Sequence, residues 1–513
     1  MPQMLDTSSP HAQNGNGAGP AHFRFAIVGS GFGGMGMAIK LKQAGIDDFV
    51  ILDRDSDVGG TWHANTYPGC QCDIPSHLYS FSFAPNPNWS RTYATQPEIY
   101  KYLRGVAERF GLLPHVRLEC EVTGAAWDEE GNRWRLETSK GPLTAETLVA
   151  APGGLSEPSV PAIEGLEEFE GKVVHTARWD NDYDFTGKRV AVVGTGASAI
   201  QAVPKLQKIV KQLTLFQRTP PWIMPHVDRP VTEPERRIYR RFPFLQRIAR
   251  ARVYWTNELR VPLFVYRPQL FRIAEVIAKR HIARQVPDPE LRRKLTPSYR
   301  IGCKRILPSN LWYPALVQPN VDVAFGGLTE VRGNSVVTPA GEEREVDAIV
   351  FATGFHVTDI PIAGMIRGRD GATLSEVWQG SPQMYRGSTV AGFPNMFFLA
   401  GYNTGLGHNS IVFMIESQLN YVMDAVRKMD ATQTNRVEVR PDALQAYNER
   451  LQKRMPRTVW NTGGCSSWYL DRNGKNTTMW PDFTWRFWQD TKQFDAERYE
   501  MTAKRPAADA AAV

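Results

Sequence analysis

Cysteine is scarce in this chain. Cys70, Cys72, Cys120, Cys303 and Cys465 are the only five in 513 residues. So sparse and odd a set makes no disulfide framework, and its simplest reading is a chain kept in a reducing cytosol. One residue separates Cys70 from Cys72, which is neither a CxxC redox spacing nor a zinc spacing, and no metal site is expected. Long apolar runs are missing as well. No stretch reaches the roughly 18 apolar residues that a transmembrane helix needs. Polybasic tracts are absent too. The net charge of +7 is therefore spread out. It does not single out nucleic acid, but it suits a partner that carries phosphates. Residues 1–21 are polar, rich in Gly, Asn and Ser, and lack the apolar core of a signal peptide; they read as a disordered tail. These absences leave a cytoplasmic globular protein of two to four domains.

Glycine, by contrast, is placed with purpose. In FAIVGSGFGGMGMAIKLKQAGIDDFVILDRD, an apolar strand at 25–28 leads into Gly29, Gly31 and Gly34. A helix at 35–43 and a strand at 49–52 follow, closed by Asp53. In a GxGxxG unit the first glycine makes the tight turn and the second lets the backbone approach a pyrophosphate. The third lets helix and strand pack closely. The helix N-terminus offers free N–H groups to the phosphates, and the acid at the strand end accepts the ribose hydroxyls.

A second such unit is KRVAVVGTGASAIQAVPKLQKIVKQLTLFQRTP. Gly194 and Gly196 start its turn, with Ala199 in the third position. Thr195, Ala197 and Ser198 complete the phosphate-facing turn, and Pro204 predicts a short or kinked helix. Asp53 follows Gly29 by 24 residues, and Arg218 follows Gly194 by the same 24. An acid at that place repels a 2′-phosphate, whereas an Arg binds one through a charged fork. The first unit therefore fits FAD, and the second fits NADPH better than NADH, with Thr219 adding a hydroxyl. A solvated charge at a strand end is the alternative for Arg218.

TLVAAPGG (147–154) and VDAIVFATGF (346–355) are both apolar strands that end in small residues, as needed where a chain passes close to a cofactor. The whole resembles the flavin-dependent disulfide reductase superfamily in architecture. Those reductases carry a redox cysteine pair just after the first βαβ unit. Here that region reads DVGGTWHANTYPGCQCDIPSHLYSFSF, with no CxxxxC or CxxC, so dithiol exchange has no nucleophile.

Between the units lies FEGKVVHTARWD, residues 169–180. By residue type it is a linker, with Phe169 and Trp179 as anchors and His175 an ordinary hydrogen-bonded histidine. Its order and place, however, resemble the fingerprint FxGxxxHxxxW[P/D] of type I Baeyer–Villiger monooxygenases at every fixed position: Phe169, Gly171, His175, Trp179 and Asp180. The resemblance runs from Phe25 to the Trp-rich C-terminal segment. It implies FAD and NADPH as cofactors, with Thr61, Trp62, Tyr79 and Val122 at the FAD. It also implies Asp73 near flavin and nicotinamide, Lys304 on NADPH, Arg305 facing the flavin, and Trp468 as a mobile cover over NADP. His175 is implied to act from a hinge, outside the oxygen transfer. The loop GLGHNSIVFMIESQ, from Gly405, lines the pocket in the family but varies there, so His408, Asn409 and Ser410 say little about substrate.

The implied reaction is NADPH- and O2-dependent. A C4a-peroxyflavin, stabilised by Arg305, inserts one oxygen next to the carbonyl of a small-molecule ketone to give an ester or lactone. Asp73 is expected to aim Arg305, a solvated loop acid being its alternative. The rival readings are an N- or S-oxygenating flavin-containing monooxygenase and a non-catalytic flavin-binding protein. The expected fold is α/β, with two Rossmann-like dinucleotide-binding domains and a helical insertion in the NADPH domain. The expected spans are 22–157 and 358–513 for FAD and 158–357 for NADPH, with the insertion at about 224–300. The insertion mixes aromatics, aliphatics and Arg at helical spacing. A solvated Arg face over a local core is its plainer reading, and peripheral contact with anionic lipid the less favoured one.

Overall fold

In the computed structural model, which describes residues 19–503, the apolar runs beside the glycine turns form the middle of two separate sheets. Ala21–Val28 pairs in parallel with Phe49–Leu52 on one side and Leu143–Ala150 on the other. Every residue of Phe49–Leu52 is buried, as expected of a parallel strand covered on both faces. This sheet has eight strands. The antiparallel pair Val122–Asp128 and Arg133–Thr138 extends it, and the late strands Ile366–Arg367 and Met396–Phe398 return to it. The second sheet is all parallel, in the order Val321–Phe325, Gln212–Gln217, Arg189–Val193, Ala348–Phe351, Lys172–His175. The chain is thus α/β, with two doubly wound dinucleotide-binding units.

Each fingerprint feeds the helix predicted for it. Phe32–Gln43 is buried along most of its length and packs on the long helix Ile411–Ala431. Ala197–Leu206 accommodates Pro204 because that residue stands in its last turn, two residues before the end. The insertion is helical, with Glu233–Arg241, Pro243–Glu258, Arg272–Gln285 and Pro289–Lys294 as its helices. Its first helix opens with a capping box between Thr232 and Glu235.

Two expectations change. The tail expected over 1–21 lies outside the described residues up to residue 18, and its last residue, Ala21, already pairs with Leu143 in the sheet. Cys303 and Cys465, 162 residues apart in sequence, form a disulfide with their Cα atoms 6.2 Å apart. No local spacing announces this pair. It forms because the chain after Val459–Thr462 folds back on the segment around Arg300, whose N–H donates to the Gly463 carbonyl at 2.9 Å. Cys70, Cys72 and Cys120 are free and buried.

Candidate active site

The two glycine turns are built alike. Gly29 has φ +98° and Gly194 has φ +114°, a region that favours glycine. A Cβ on Gly29 would strike the Ala151 carbonyl oxygen, and one on Gly194 would strike that of Ala352. The small-residue ends of TLVAAPGG and VDAIVFATGF therefore pass against the fingerprint glycines themselves. A Cβ on Gly34 would overlap the Gly29 carbonyl oxygen, which fixes the close helix–strand contact.

The helices then start at Gly31 and Gly196, with no side-chain cap and no acid in the first turn. A Cβ on Gly196 would have no neighbour within 4 Å, and one on Gly31 would have only the Gly60 Cα, at 3.7 Å. Two uncapped helix N-termini, each beside an open glycine, fit the pyrophosphates of two dinucleotides. Ala197 and Ser198 stand in the first turn of the second helix.

Asp53 is buried at the end of its strand. One of its carboxylate oxygens accepts the Ser30 N–H at 2.7 Å and the Ser30 hydroxyl at 2.5 Å, and the other accepts the Asp55 N–H at 3.0 Å. Ser30 was not singled out from sequence, although its place between two fingerprint glycines is a usable signal. Ser30→Ala removes one charge-assisted bond of about 1.5 kcal/mol. FAD is then expected to dissociate roughly tenfold more readily, as measured by equilibrium dialysis of the holoenzyme. Val122 opens a strand at this end of the sheet, two residues beyond Cys120, whose N–H donates to the Asp53 carbonyl at 2.8 Å. Trp62, in the short helix Thr61–Ala64, donates its indole N–H to the Tyr79 hydroxyl at 3.1 Å. Tyr79 meets Phe32 edge to face at 5.2 Å. Thr61, Trp62 and Tyr79 thus gather where the first fingerprint helix begins.

On the second unit, the Thr195 hydroxyl donates to the Thr219 carbonyl at 2.9 Å, closing the turn beside Arg218. Lys304 lies with its ammonium 5.3 Å from the centre of the Tyr299 ring. Its pKa is lowered, first by burial and then by the Arg218 cation. Two cations from distant segments therefore face one place, and neither has a carboxylate ion-pair partner among the described residues. A 2′-phosphate would complete the group. NADPH affinity is accordingly expected to be full only while the 2′-phosphate is dianionic, above about pH 6, and to fall as pH rises through the depressed Lys304 pKa, earlier than for an ordinary lysine. Lys304→Gln should flatten that limb of a KM–pH profile. Trp468 is 48% exposed and packs edge-on against Tyr469 at 4.4 Å. Tyr469 is buried, and its hydroxyl pKa is raised by burial, an effect opposed by Arg305.

The two units meet at Arg305 and Asp73. The Arg305 Nε and one terminal nitrogen grip the two oxygens of Asp73, the latter pair at 2.6 Å, and the other terminal nitrogen donates to the Leu406 carbonyl at 3.3 Å. The Arg305 side chain remains 32% exposed. Burial alone would lower its pKa; the Asp73 carboxylate more than reverses this and leaves it above the usual value. Asp73 is delivered from the side of the first unit by a strap that docks on the helix of the second. The Tyr67 hydroxyl donates to the Gln201 Oε1 at 2.9 Å, and the Gln201 amide donates to the Gln71 carbonyl at 2.9 Å. Gln201 had no signal in the sequence beyond its place in a helix. Cys70 and Cys72 lie on this strap, yet burial pushes the Cys70 thiol up to about 12 and raises Cys72 as well. Neither offers a thiolate, which agrees with the exclusion of dithiol chemistry.

The linker fingerprint is explained by packing. A Cβ on Gly171 would stand 2.7 Å from the Asp347 carbonyl oxygen and 2.4 Å from the edge of the Phe169 ring. Trp179 stacks on Phe185 at 5.0 Å, and Asp180 pairs with Lys172. His175 ends its strand beside Phe351, and its Nδ1 accepts the Ala177 N–H at 3.0 Å. Burial lowers its pKa to about 4, so it stays neutral at ordinary pH. The loop after Gly405 is anchored as well as placed. His408 and Asn409 are buried and donate to Glu258 Oε1 at 3.2 and 2.7 Å.

A family model described as "Pyridine nucleotide-disulphide oxidoreductase" matches residues 26–240. A Baeyer-Villiger monooxygenase of Streptomyces coelicolor is 54% identical over 95% of this chain and 94% of its own length. One of Pseudomonas aeruginosa is 51% identical over 96% and 94%. A closed crystal structure of cyclohexanone monooxygenase superposes with a TM-score of 0.85 at 28% identity, over 94% of this chain and all of that one. The cyclohexanone monooxygenase of Rhodococcus sp. Phi1 bound to NADP+ gives 0.83 at 30%, with the same coverage. With relatives this similar over nearly its whole length, the chain belongs to the Baeyer–Villiger monooxygenases, the NADPH- and FAD-dependent flavoenzymes that its paired nucleotide units pointed to.

Proposed function

We propose that the site inserts one oxygen atom of O2 next to a ketone carbonyl, giving an ester or lactone, with Arg305 as the catalytic cation and Asp73 as its partner. Bound FAD supplies the redox chemistry, taking hydride from NADPH and activating dioxygen. The protein supplies position and charge. Arg305 presents a fixed cation to the negative charge that develops on oxygen as the carbonyl is attacked. A preorganised donor of this kind lowers such a barrier by roughly 3–4 kcal/mol. With its pKa above the usual arginine range, it does not release a proton at any working pH. Asp73 fixes the guanidinium plane through two parallel bonds, and the Leu406 carbonyl holds the third nitrogen.

FAD would be held by Gly29, Gly31, Gly34, Asp53, Thr61, Trp62, Tyr79 and Val122. NADPH would be held by Gly194, Thr195, Gly196, Ala197, Ser198, Arg218, Thr219 and Lys304, with Trp468 as its cover. The observation that carries this reading is the two-point Arg305–Asp73 pair at the junction of the units. It is tested by incubating the holoenzyme with NADPH and labelled dioxygen over linear, cyclic and aryl ketones, with an amine and a thioether alongside. Ester or lactone carrying one labelled oxygen supports it. Oxygenation of the amine or thioether with every ketone untouched would overturn it.

A further inference from the structure

Helix Pro243–Glu258 is inside out. Its buried face is polar: Gln246, Tyr254, Asn257 and Glu258. Gln246, Tyr254 and Glu258 are bonded inward. The Gln246 amide donates to the Asn86 carbonyl at 2.6 Å, and the Tyr254 hydroxyl lies 3.0 Å from that of Thr484. Arg250 on the same face reaches three backbone carbonyls, of His77, Leu78 and Ser80, at 2.9, 3.1 and 2.8 Å. The opposite face carries Phe244, Ile248, Trp255 and the capping residue Leu259, which are 56, 59, 56 and 78% exposed. Their spacing of four, seven and four residues is a single helical stripe. Leu270, Ile273 and Ile277, also exposed, run along one side of the following segment. Ten of the 21 large hydrophobics exposed among the described residues fall between 238 and 277. Isolated exposed apolar residues need no explanation, but four in line on one face of a single helix do.

Its surroundings choose the partner. Residues 241–285 hold ten Lys and Arg, of which Arg250 is turned inward, against two acids, Glu258 and Glu275, and Glu258 is buried. Arg247 and Arg252 are exposed beside the stripe with no carboxylate partner among the described residues. A second copy of the chain would set this positive face against itself. An anionic lipid surface instead satisfies both features, since the apolar stripe sinks below the headgroups and the arginines reach up to the phosphates.

We propose that the outer face of Pro243–Glu258 seats the enzyme on anionic lipid bilayers. Among the described residues no helix is long and apolar enough to cross a membrane; the stripe covers one face of its helix, and the contact proposed is a surface one. The holoenzyme is tested by flotation with vesicles of phosphatidylcholine alone and of phosphatidylcholine mixed with phosphatidylglycerol. It is expected to bind the mixed vesicles about tenfold more strongly than the neutral ones, and to be released by salt. The triple variant Phe244→Ser, Ile248→Ser, Trp255→Ser and the double variant Arg247→Gln, Arg252→Gln should each lose about tenfold of that binding. Both should retain their FAD and their turnover of a water-soluble ketone, which separates lost docking from lost folding. Failure of the parent enzyme to float with anionic vesicles would overturn the proposal, as would undiminished binding by the triple variant. So would a dimer in light scattering that the triple variant dissolves, because the stripe would then cover a second copy.

Discussion

Arg305→Ala is expected to abolish ester formation while NADPH still reduces the flavin at close to the parent rate. Hydride transfer depends on the two nucleotide units, which the substitution leaves in place. The oxygen-transfer step depends on a cation where negative charge appears on oxygen, and Arg305 is the group bonded to Asp73 at the junction. Losing roughly 3–4 kcal/mol of such stabilisation slows the step by about a hundred- to a thousandfold. NADPH consumed without ester should appear as hydrogen peroxide. Arg305→Lys should recover little, because an ammonium cannot take both oxygens of Asp73 in one plane. Single-turnover reduction followed beside product yield separates the two steps. Appreciable ester from the alanine variant would remove Arg305 from the role.

Arg218→Ala is expected to raise the KM for NADPH by about ten- to a hundredfold and to leave that for NADH nearly unchanged. The two cofactors differ only in the 2′-phosphate, and a charged hydrogen bond to it is worth about 1.5–3 kcal/mol. Lys304 remains beside the site, relieved of a like charge, so binding is weakened and not lost. Equal losses for both cofactors would mean that Arg218 does not read the phosphate.

The sequence announced the parts governed by backbone geometry. A glycine turn, a helix start and a strand end lie within some 24 residues of one another, so Gly29 to Asp53 and Gly194 to Arg218 could be placed from spacing alone. The pairing of Arg305 with Asp73 came from family resemblance; the residues themselves stand 232 positions apart. Contacts set by tertiary packing left no trace. Gln201 under the strap, Ser30 on Asp53 and Glu258 beneath His408 are ordinary polar residues whose partners are chosen by the fold. The disulfide between Cys303 and Cys465 is of the same kind. The insertion's periodicity was visible, but not which side of the helix faces inward, because its buried side is the polar one.

The strap has a consequence of its own. Asp73 is covalently part of the flavin side, yet it is steered by Gln201 of the other nucleotide unit, and its guanidinium partner belongs to that unit too. Neither half of the molecule holds both members of the Arg305–Asp73 pair. A swivel of one lobe against the other that parted Gln71 from Gln201 would loosen the grip on the arginine at the same moment, so the proposed role of Arg305 would depend on how the lobes are docked.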